Sequence, residues 1–405
     1  MVSPESFFWK TFWTLYLRQI RLLLSNYLQF CFKKHSSCSH AIFVLRQVAE
    51  FCVTHGSNVY MAALDAKRLL IACIILFYVL SDRKIPFFII KVIVNWYSKM
   101  FASVRWNGAF SNMLPIKRGV LRSSHLSPSF FNLYVDVIID ALSKAGYCCF
   151  VRKIYMGCIV YADDIILLFA SIVALQEMLN ICFHKGEELD IIINNSKSFL
   201  FKIGPSYDCC IQILKLGAAD IVWTPEIKYL GVNFCCGKNW CVDLSGRMRK
   251  YYAAVNSIIS HTKNVNDILK LNLLERYALL ILKYSCESLL LNDNTLDILN
   301  VCWNNVFRKV FKMNRWESVK MVSILLCRMD FIHIHHLEKL KFIAKVLNCD
   351  NIAVSTCYKL FSHSNELKTF SWFYDVSQDY SIILLKGRFT SILKHFVICV
   401  INLLV

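Results

Sequence analysis

The residues of this chain best suited to bind a divalent cation are the adjacent aspartates of Tyr161-Ala162-Asp163-Asp164. Apolar, β-prone stretches flank them, and two residues suffice to join such stretches as a β-hairpin, so both carboxylates are expected at the hairpin tip. Neighbouring carboxylates repel, and a divalent cation bound to their oxygens relieves that repulsion. A solvated Asp-Asp turn is the alternative. The strongly apolar flanks favour the metal site.

A third carboxylate, Asp65, ends a β-compatible run that begins at Asn58. An aspartate after a strand is usually a helix cap, and Asp65 becomes a ligand only if the fold brings it to Asp163. Helical patterns are predicted over 69–80 and 86–100.

The elements around the hairpin suggest how that approach could occur. A helix is predicted from Ser127, another from the cap Ser171, and two strands over 190–193 and 198–203 flank a turn at 194–197. This order resembles a ferredoxin-like β-α-β-β-α-β sheet with insertions. In that topology the end of the first strand lies beside the central hairpin, so Asp65 can approach Asp163. From Leu244 onward the pattern is helical.

Charge and composition limit the partners and the compartment. The formal net charge of +18 fits a polyanion, either nucleic acid or an anionic membrane surface. Mean hydropathy is high at +0.45, but the longest apolar stretches, 69–80 and 396–405, fall short of the ~20 residues of a spanning helix. No membrane association is therefore expected, although hydropathy leaves that alternative open.

Nineteen scattered cysteines suit free thiols in a reducing compartment. The segment 7–17 lacks the cleavage site of a signal peptide. An intracellular protein of the nucleus, the cytoplasm or both, not a secreted one, is expected. Cys235-Cys236 with Cys241 leaves a zinc site as a less favoured alternative.

Basic residues mark two further candidate contacts with phosphates. Lys33 and Lys34 end an aromatic, basic stretch near the start of the chain, and Arg122 lies close to the flexible backbone of Gly119. Such residues can neutralise phosphates, and aromatic neighbours can stack bases. A solvated, charged surface explains them equally well.

Taken in order, these motifs resemble the reverse transcriptase of non-LTR (LINE-like) retrotransposons over about residues 29–345. The resemblance rests on a series of short matches: Gln29-Phe30-Cys31-Phe32-Lys33-Lys34, the run 59–65, Gly119-Val120, Leu126-Ser127-Pro128, Phe131-Asn132-Leu133-Tyr134, Tyr161-Ala162-Asp163-Asp164, Asn195 with Lys197, and Tyr229-Leu230-Gly231.

The resemblance implies an α+β right-hand polymerase, with fingers, a palm built on a ferredoxin-like antiparallel sheet, and a helical thumb. Residues 1–58 would be partial fingers and 59–235 the palm with inserted fingers elements. Residues 236–349 would form the thumb and connection, and 350–405 a C-terminal helical extension of unknown role.

The same resemblance implies an RNA-directed DNA polymerase. Asp65, Asp163 and Asp164 would be catalytic and would hold two Mg²⁺ ions, or Mn²⁺; Tyr161 would lie near the primer terminus and Lys197 near the outgoing phosphate. The implied partners are an RNA template, a DNA primer and dNTPs, with no membrane and no obligate protein partner. The remaining residues implied in nucleotide, primer or template binding are Gly119, Arg122, Tyr229, Leu230, Gly231, Lys33 and Lys34.

The chain departs from the family pattern in the expected nucleotide pocket. Asp65 is followed by Ala66-Lys67-Arg68-Leu69-Leu70, where the family has Lys-Ala-Phe-Asp and the Phe excludes ribose. Leu121-Arg122-Ser123 replaces Arg-Gln-Gly, which removes a polar contact and a glycine that permits close backbone approach. No upstream endonuclease domain of the apurinic type is present. The competing hypothesis is therefore a truncated, decaying copy that at most binds nucleic acid.

Overall fold

The computed structural model describes residues 25–69, 73–99, 101–115, 127–147, 149–210 and 212–361. The chain divides into two compact units, Met1–Lys250 with Asn351–Ala353, and Tyr251–Asp350 with Val354–Val405. The finer domain boundaries given above stay predictions. Within the described ranges, no helix is both long enough and apolar enough to cross a lipid bilayer.

The first unit contains helices and strands in alternation. Its helices are α1 (Cys38–Thr54), α2 (Cys73–Asp82), α3 (Phe87–Ser98), α4 (Ser127–Lys144) and α5 (Ile172–Glu188). Its strands are β1 (Val59–Leu69), β2 (Phe101–Ala102), β3 (Arg105–Trp106), β4 (Ala109–Phe110), β5 (Leu114–Pro115), β6 (Phe150–Val151), β7 (Ile154–Tyr155), β8 (Cys158–Tyr161), β9 (Asp164–Phe169), β10 (Ile191–Ile193), β11 (Phe199–Ile203), β12 (Leu214–Leu216), β13 (Ala219–Trp223), β14 (Glu226–Tyr229), β15 (Val232–Cys235) and β16 (Cys241–Asp243).

One seven-stranded sheet organises this unit. Its strands follow the order β12-β13-β11-β1-β9-β8, and β10 pairs with the far end of β1. The four strands β11-β1-β9-β8 pair antiparallel with one another and form the predicted ferredoxin-like core, with β1 next to the hairpin. Apolar side chains of β1 and β9 are buried on both faces, as expected for central strands. The sequence-based topology is confirmed.

Strand β1 is longer than predicted. It continues past Asp65 to Leu69 because Ala66 and Leu69 pair with Ile193 and Ile191 of β10. The predicted helix over 69–80 consequently begins later, at Cys73. Basic residues with little strand preference join this strand because another strand lies alongside them, which is a tertiary effect that local pattern does not contain.

Helix α5 packs on β1, β9, β10 and β12, and also on α4. Its buried face of Leu175, Met178, Leu179 and Cys182 follows the predicted helical spacing. Ser171 stands at the predicted N-cap position, although its side chain makes no capping hydrogen bond. Together α4 and α5 cover the sheet from which the aspartates project.

From Ser245 to Phe361, where the described residues end, the chain is helical, as predicted. The helices are α6 (Ser245–His261), α7 (Asp267–Leu273), α8 (Leu279–Lys283), α9 (Asp293–Val310), α10 (Lys320–Leu325), α11 (Phe331–Leu347) and α12 (Ile352–Phe361). In the second unit, α9 begins at the cap Asn292, whose Oδ1 accepts the Thr295 N–H at 2.8 Å. The predicted apolar stripe of α9 is buried, and Trp303 within it donates its indole N–H to the Met329 carbonyl at 3.2 Å.

Candidate active site

The register of two central strands brings two of the predicted aspartates together. Strands β1 and β9 pair antiparallel from Tyr60 opposite Phe169 to Asp65 opposite Asp164. Directly opposed residues point to the same face, with Cβ atoms about 5 Å apart. A register shift of one residue would exchange the two faces of β1 and separate Asp65 from Asp164.

The third aspartate lies in the turn between β8 and β9. The hairpin itself is confirmed, but its loop is one residue earlier than predicted: Tyr161 and Asp164 are the last pair, so Ala162 and Asp163 form the two-residue loop and Asp164 begins β9. Ala162 has φ 53°, in the left-handed region, which costs a residue with a Cβ about 1 kcal/mol. The Ala66 N–H donates to the Asp163 carbonyl at 3.3 Å and ties the turn to β1. Asp163 is exposed, whereas Asp65 and Asp164 are half-buried.

The electrostatics of this cluster favour a cation. Burial, together with the negative charges of Asp65 and Asp163, raises the pKa of the Asp164 carboxyl. Among the described residues, no group of three or more His, Cys, Asp and Glu side chains is already arranged around a metal position. Three neighbouring carboxylates nevertheless fit Mg²⁺, which takes few protein ligands and completes its octahedron with water and substrate phosphates.

Asn194, which sequence reasoning did not single out, holds Asp65 in place. Its main-chain N–H donates to the Asp65 carbonyl at 2.7 Å, and its side-chain Nδ2 donates to Asp65 Oδ2 at 3.3 Å. Ser196 orients the amide by donating to Asn194 Oδ1 at 2.8 Å. Ser198 Oγ donates to the Asn194 carbonyl at 2.8 Å and accepts the Asp65 N–H at 3.3 Å. The side chains that hydrogen-bond to Asp65, and the serines that hydrogen-bond to Asn194, therefore all lie in the turn between β10 and β11.

The only sequence signal for this network was an Asn-Asn-Ser-Lys-Ser run after a strand. Asn and Ser at such a place usually satisfy their own turn. The resemblance had matched Asn195 with Lys197, but the contact with Asp65 is made by Asn194.

A parallel bridge joins residue 29 to the outer edge of the catalytic hairpin. The Phe30 N–H donates to the Val160 carbonyl, and the Val160 N–H donates to the Leu28 carbonyl, both at 2.9 Å. The segment matched to the fingers motif thus extends the sheet beyond β8. Asn132 of α4 donates to the Cys31 carbonyl at 2.8 Å and fixes the end of this segment.

Tyr161 contacts the thiols carried by the same region. Burial, together with the Cys38 and Cys31 thiols that hydrogen-bond with it, raises the pKa of the Tyr161 hydroxyl. Burial raises the pKa of the Cys31 thiol to about 11, so this cysteine is protonated at neutral pH. Tyr161 is therefore a neutral side chain held against the base of the hairpin.

A family model described as "Reverse transcriptase (RNA-dependent DNA polymerase)" matches residues 14–234, more than half of the chain. The chain belongs to the reverse transcriptase family. Its α+β fold, with a palm sheet that carries the aspartates, and its membership among RNA-directed DNA polymerases agree with the motif-based resemblance.

The resemblance to non-LTR elements is also confirmed by a curated relative. The retrovirus-related Pol polyprotein from type-2 retrotransposable element R2DM of Drosophila melanogaster is 25% identical over 208 residues. The match covers 49% of this chain but only 20% of that polyprotein.

Two solved telomerases align with this chain at low identity and low TM-score. Telomerase from Candida albicans with a fragment of telomeric RNA has a TM-score of 0.44 and 13% identity, over 79% of this chain and 56% of that one. Apo telomerase from Candida tropicalis has a TM-score of 0.40 and 12% identity, over 86% of this chain and 60% of that one.

The region matched to the primer grip of reverse transcriptases is a second tight hairpin, near enough to Asp164 for the charge of that residue to affect Tyr229. Tyr229 and Val232 close the β14–β15 hairpin, whose central residues Leu230 and Gly231 have φ 45° and 79°. Glycine suits this turn, whereas leucine there is strained. Tyr229 is only 3% exposed, and its hydroxyl has no hydrogen-bond partner among the described residues. Burial, with a contribution from the charge of Asp164, raises its pKa well above the usual value.

The predicted basic contacts differ in where the structure places them. Lys33 donates to main-chain carbonyls of Ser25, at 3.1 Å, and Asn26, so its ammonium stabilises the local loop. Lys34 is exposed, and Lys197 is exposed at the end of the short 3₁₀ turn Asn195–Lys197. Gly119 and Arg122 lie outside the described residues.

Proposed function

We propose that this chain is an RNA-directed DNA polymerase that adds deoxynucleotides to a DNA primer 3′-hydroxyl on an RNA template. The observation that carries the proposal is the pairing of Asp65 with Asp164 beside Asp163 of the turn. Family membership supports the same reaction. The proposal concerns this chain alone, because the curated relative is five times longer than the matched segment.

Two Mg²⁺ ions, or Mn²⁺, are the proposed cofactors, with Asp65, Asp163 and Asp164 as their protein ligands. Bound there, such ions would activate the primer hydroxyl and neutralise charge on the triphosphate and on the leaving pyrophosphate. The raised pKa of Asp164, caused first by burial and then by the charges of Asp65 and Asp163, supports this assignment, because a bound cation would offset both burial of the charge and the repulsion.

Other residues of the first unit would position the reacting groups. Asn194 keeps the Asp65 carboxylate on the hairpin side through its hydrogen bond to Oδ2. Tyr161, neutral and packed at the hairpin, is proposed to lie against the primer terminus. Lys197 is proposed to meet the outgoing phosphate with its exposed ammonium. The proposed partners are an RNA template, a DNA primer and dNTPs, all polyanions that fit the net charge of +18.

A second candidate is a catalytically impaired remnant that binds nucleic acid without copying it. Two observations favour it. Residues after Asp65 continue as a strand paired with β10, where the family places a ribose-excluding Phe. Leu121-Arg122-Ser123 also replaces the polar and glycine residues of the nucleotide motif.

Primer extension separates the two candidates. Purified protein, a primed RNA template, dNTPs and Mg²⁺ should yield extended DNA, and Asp163→Ala should abolish it. Asp208→Ala, which removes an exposed aspartate outside the hairpin, is the matched control and should leave extension unchanged. Extension that survives Asp163→Ala contradicts the polymerase assignment. Salt-sensitive RNA binding without any extension supports the remnant.

We also propose an intracellular location, in the nucleus, the cytoplasm or both. The cysteines whose side chains the structure describes are all free thiols, which suits a reducing compartment. Subcellular fractionation of cells that express the tagged chain tests this. Recovery of the chain from the culture medium contradicts it.

A further inference from the structure

Residues 101–115 form an exposed double ribbon, called here the aromatic ribbon. Strand β2 pairs with β5, and β3 pairs with β4. Asn107 and Gly108 form the tip with φ 46° and 87°, the left-handed pair that a two-residue hairpin needs. Every residue of the aromatic ribbon is exposed. Its side chains are therefore presented to solvent and are not part of the core.

Large aromatic side chains dominate this exposed surface. Trp106 is 82% exposed, Phe110 67% and Phe101 53%. The Arg105 guanidinium lies 5.6 Å from the centre of the Phe110 ring, on the strand position directly opposite. Trp106 projects from the other face of the hairpin, because successive strand residues alternate. Exposed aromatics grouped in this way mark an interaction surface.

The charge around the aromatic ribbon has one sign. No Asp or Glu occurs between Asp82 and Asp136 in the sequence. Lys91 and Lys99 of the preceding helical segment are exposed, as is Arg105 within the ribbon. Aromatic rings interleaved with cations, without carboxylates, suit a ligand that combines flat π-systems with negative charge. Unpaired bases on a phosphate backbone have that combination.

We propose that the aromatic ribbon binds single-stranded RNA that passes around the hairpin, so that a base stacks on Trp106 on one face and the phosphate of a neighbouring nucleotide meets Arg105 on the other. The inference rests on the proposed function, since the RNA would be template that has not yet been copied. Duplex RNA fits less well because its bases are already stacked and paired. The aromatic ribbon is a separate surface from the aspartate cluster.

The test measures binding without catalysis. Fluorescence anisotropy of a short labelled single-stranded RNA, in EDTA, is recorded for the full chain and for Trp106→Ala. Trp316→Ala is the matched control, because Trp316 is 83% exposed but lies in the second unit. Both tryptophans are exposed, so neither change should alter the melting temperature. We expect Trp106→Ala to weaken binding about 5- to 100-fold and Trp316→Ala to leave it within about twofold.

A second variant tests the phosphate contact. Arg105→Gln should reduce the slope of log affinity against log salt by about 0.7, the value for one phosphate contact on a single strand. Equal weakening by Trp106→Ala and Trp316→Ala overturns the proposal, as does the same loss on an RNA duplex. Trp106-dependent binding to phosphatidylserine vesicles with unchanged RNA binding overturns it in favour of a membrane surface.

Failure of the polymerase proposal can be distinguished from failure of the RNA-binding inference, because the first concerns primer extension and the second concerns RNA binding. Asp163→Ala should lose primer extension and retain the Trp106-dependent RNA binding, because the aromatic ribbon contains no part of the aspartate cluster. An inactive wild-type chain that still binds RNA through Trp106 supports the inference while contradicting the polymerase proposal.

Discussion

Replacing Asn194 by alanine tests whether the turn between β10 and β11 positions a catalytic carboxylate. The change removes the Nδ2 hydrogen bond to Asp65 Oδ2 but keeps the main-chain hydrogen bond to the Asp65 carbonyl. The strand should therefore stay in place while the carboxylate gains rotational freedom. Asp65 should then spend less time in the orientation that binds metal.

The expected loss of activity follows from the geometry of the hydrogen bond between Asn194 Nδ2 and Asp65 Oδ2. A hydrogen bond to a charged group contributes about 1.5–3 kcal/mol when it is well formed. The Asn194–Asp65 bond is long at 3.3 Å and half-buried, so its contribution should lie near the low end. About 1.4 kcal/mol corresponds to a tenfold change in rate. Asn194→Ala should lower kcat about tenfold and raise the Mg²⁺ concentration for half-maximal activity.

Single-nucleotide extension at saturating dNTP, over a Mg²⁺ series, is the assay. Asn195→Ala is the matched control, since the same side chain is removed from the adjacent residue and no contact with Asp65 is lost. Asn194→Asp should be more harmful than Asn194→Ala, because it places a fourth carboxylate beside the cluster. Unchanged kcat in Asn194→Ala, or an equal fall in Asn195→Ala, refutes the positioning role.

Three further predictions concern stability. Asp164→Asn should raise the melting temperature without divalent ions by about 1–3 °C, because repulsion is relieved; a fall in differential scanning fluorimetry contradicts this. Burial raises the pKa of the Asp136 carboxyl from 3.8 to about 6, so the folded state favours the protonated form. The resulting contribution to the free energy of unfolding is fully present below pH 3.8 and is lost as the pH rises through 6. Because Arg83 Nη2 lies 3.3 Å from the charged carboxylate, Arg83→Ala should cost about 1–3 kcal/mol in urea unfolding at pH 8 and clearly less at pH 5; equal costs, or a pH effect that persists with Asp136→Asn, refute the pairing. Tyr229→Phe should raise the free energy of unfolding by up to about 1 kcal/mol, because it removes a buried hydroxyl without a partner; a destabilised variant indicates that the hydroxyl is satisfied.

Local patterns were sufficient for the hairpin and for the helices. The apolar runs on either side of the two aspartates have the two-residue spacing of a hairpin, and a hairpin forms there, with its loop one residue earlier, at Ala162-Asp163. The apolar stripe of α9 recurs at helical spacing and is buried. Such periodicities lie within one segment, so they can be recognised without knowing what packs against it.

The chemistry of the site depended on contacts between distant segments. Asp65 and Asp164 are opposed because β1 pairs with β9 in one particular register, and Asn194 reaches Asp65 because β10 extends the sheet along β1. Lys33 resembled a phosphate contact but donates to nearby carbonyls. By itself, the sequence determined which carboxylates were candidates, where the aspartate hairpin lies and where the main helices lie, but not the strands of the aromatic ribbon or of the β14–β15 hairpin. Only the tertiary structure decided which side chains hydrogen-bond to these carboxylates, because that depends on which segments are brought together across the sheet and which groups are buried there.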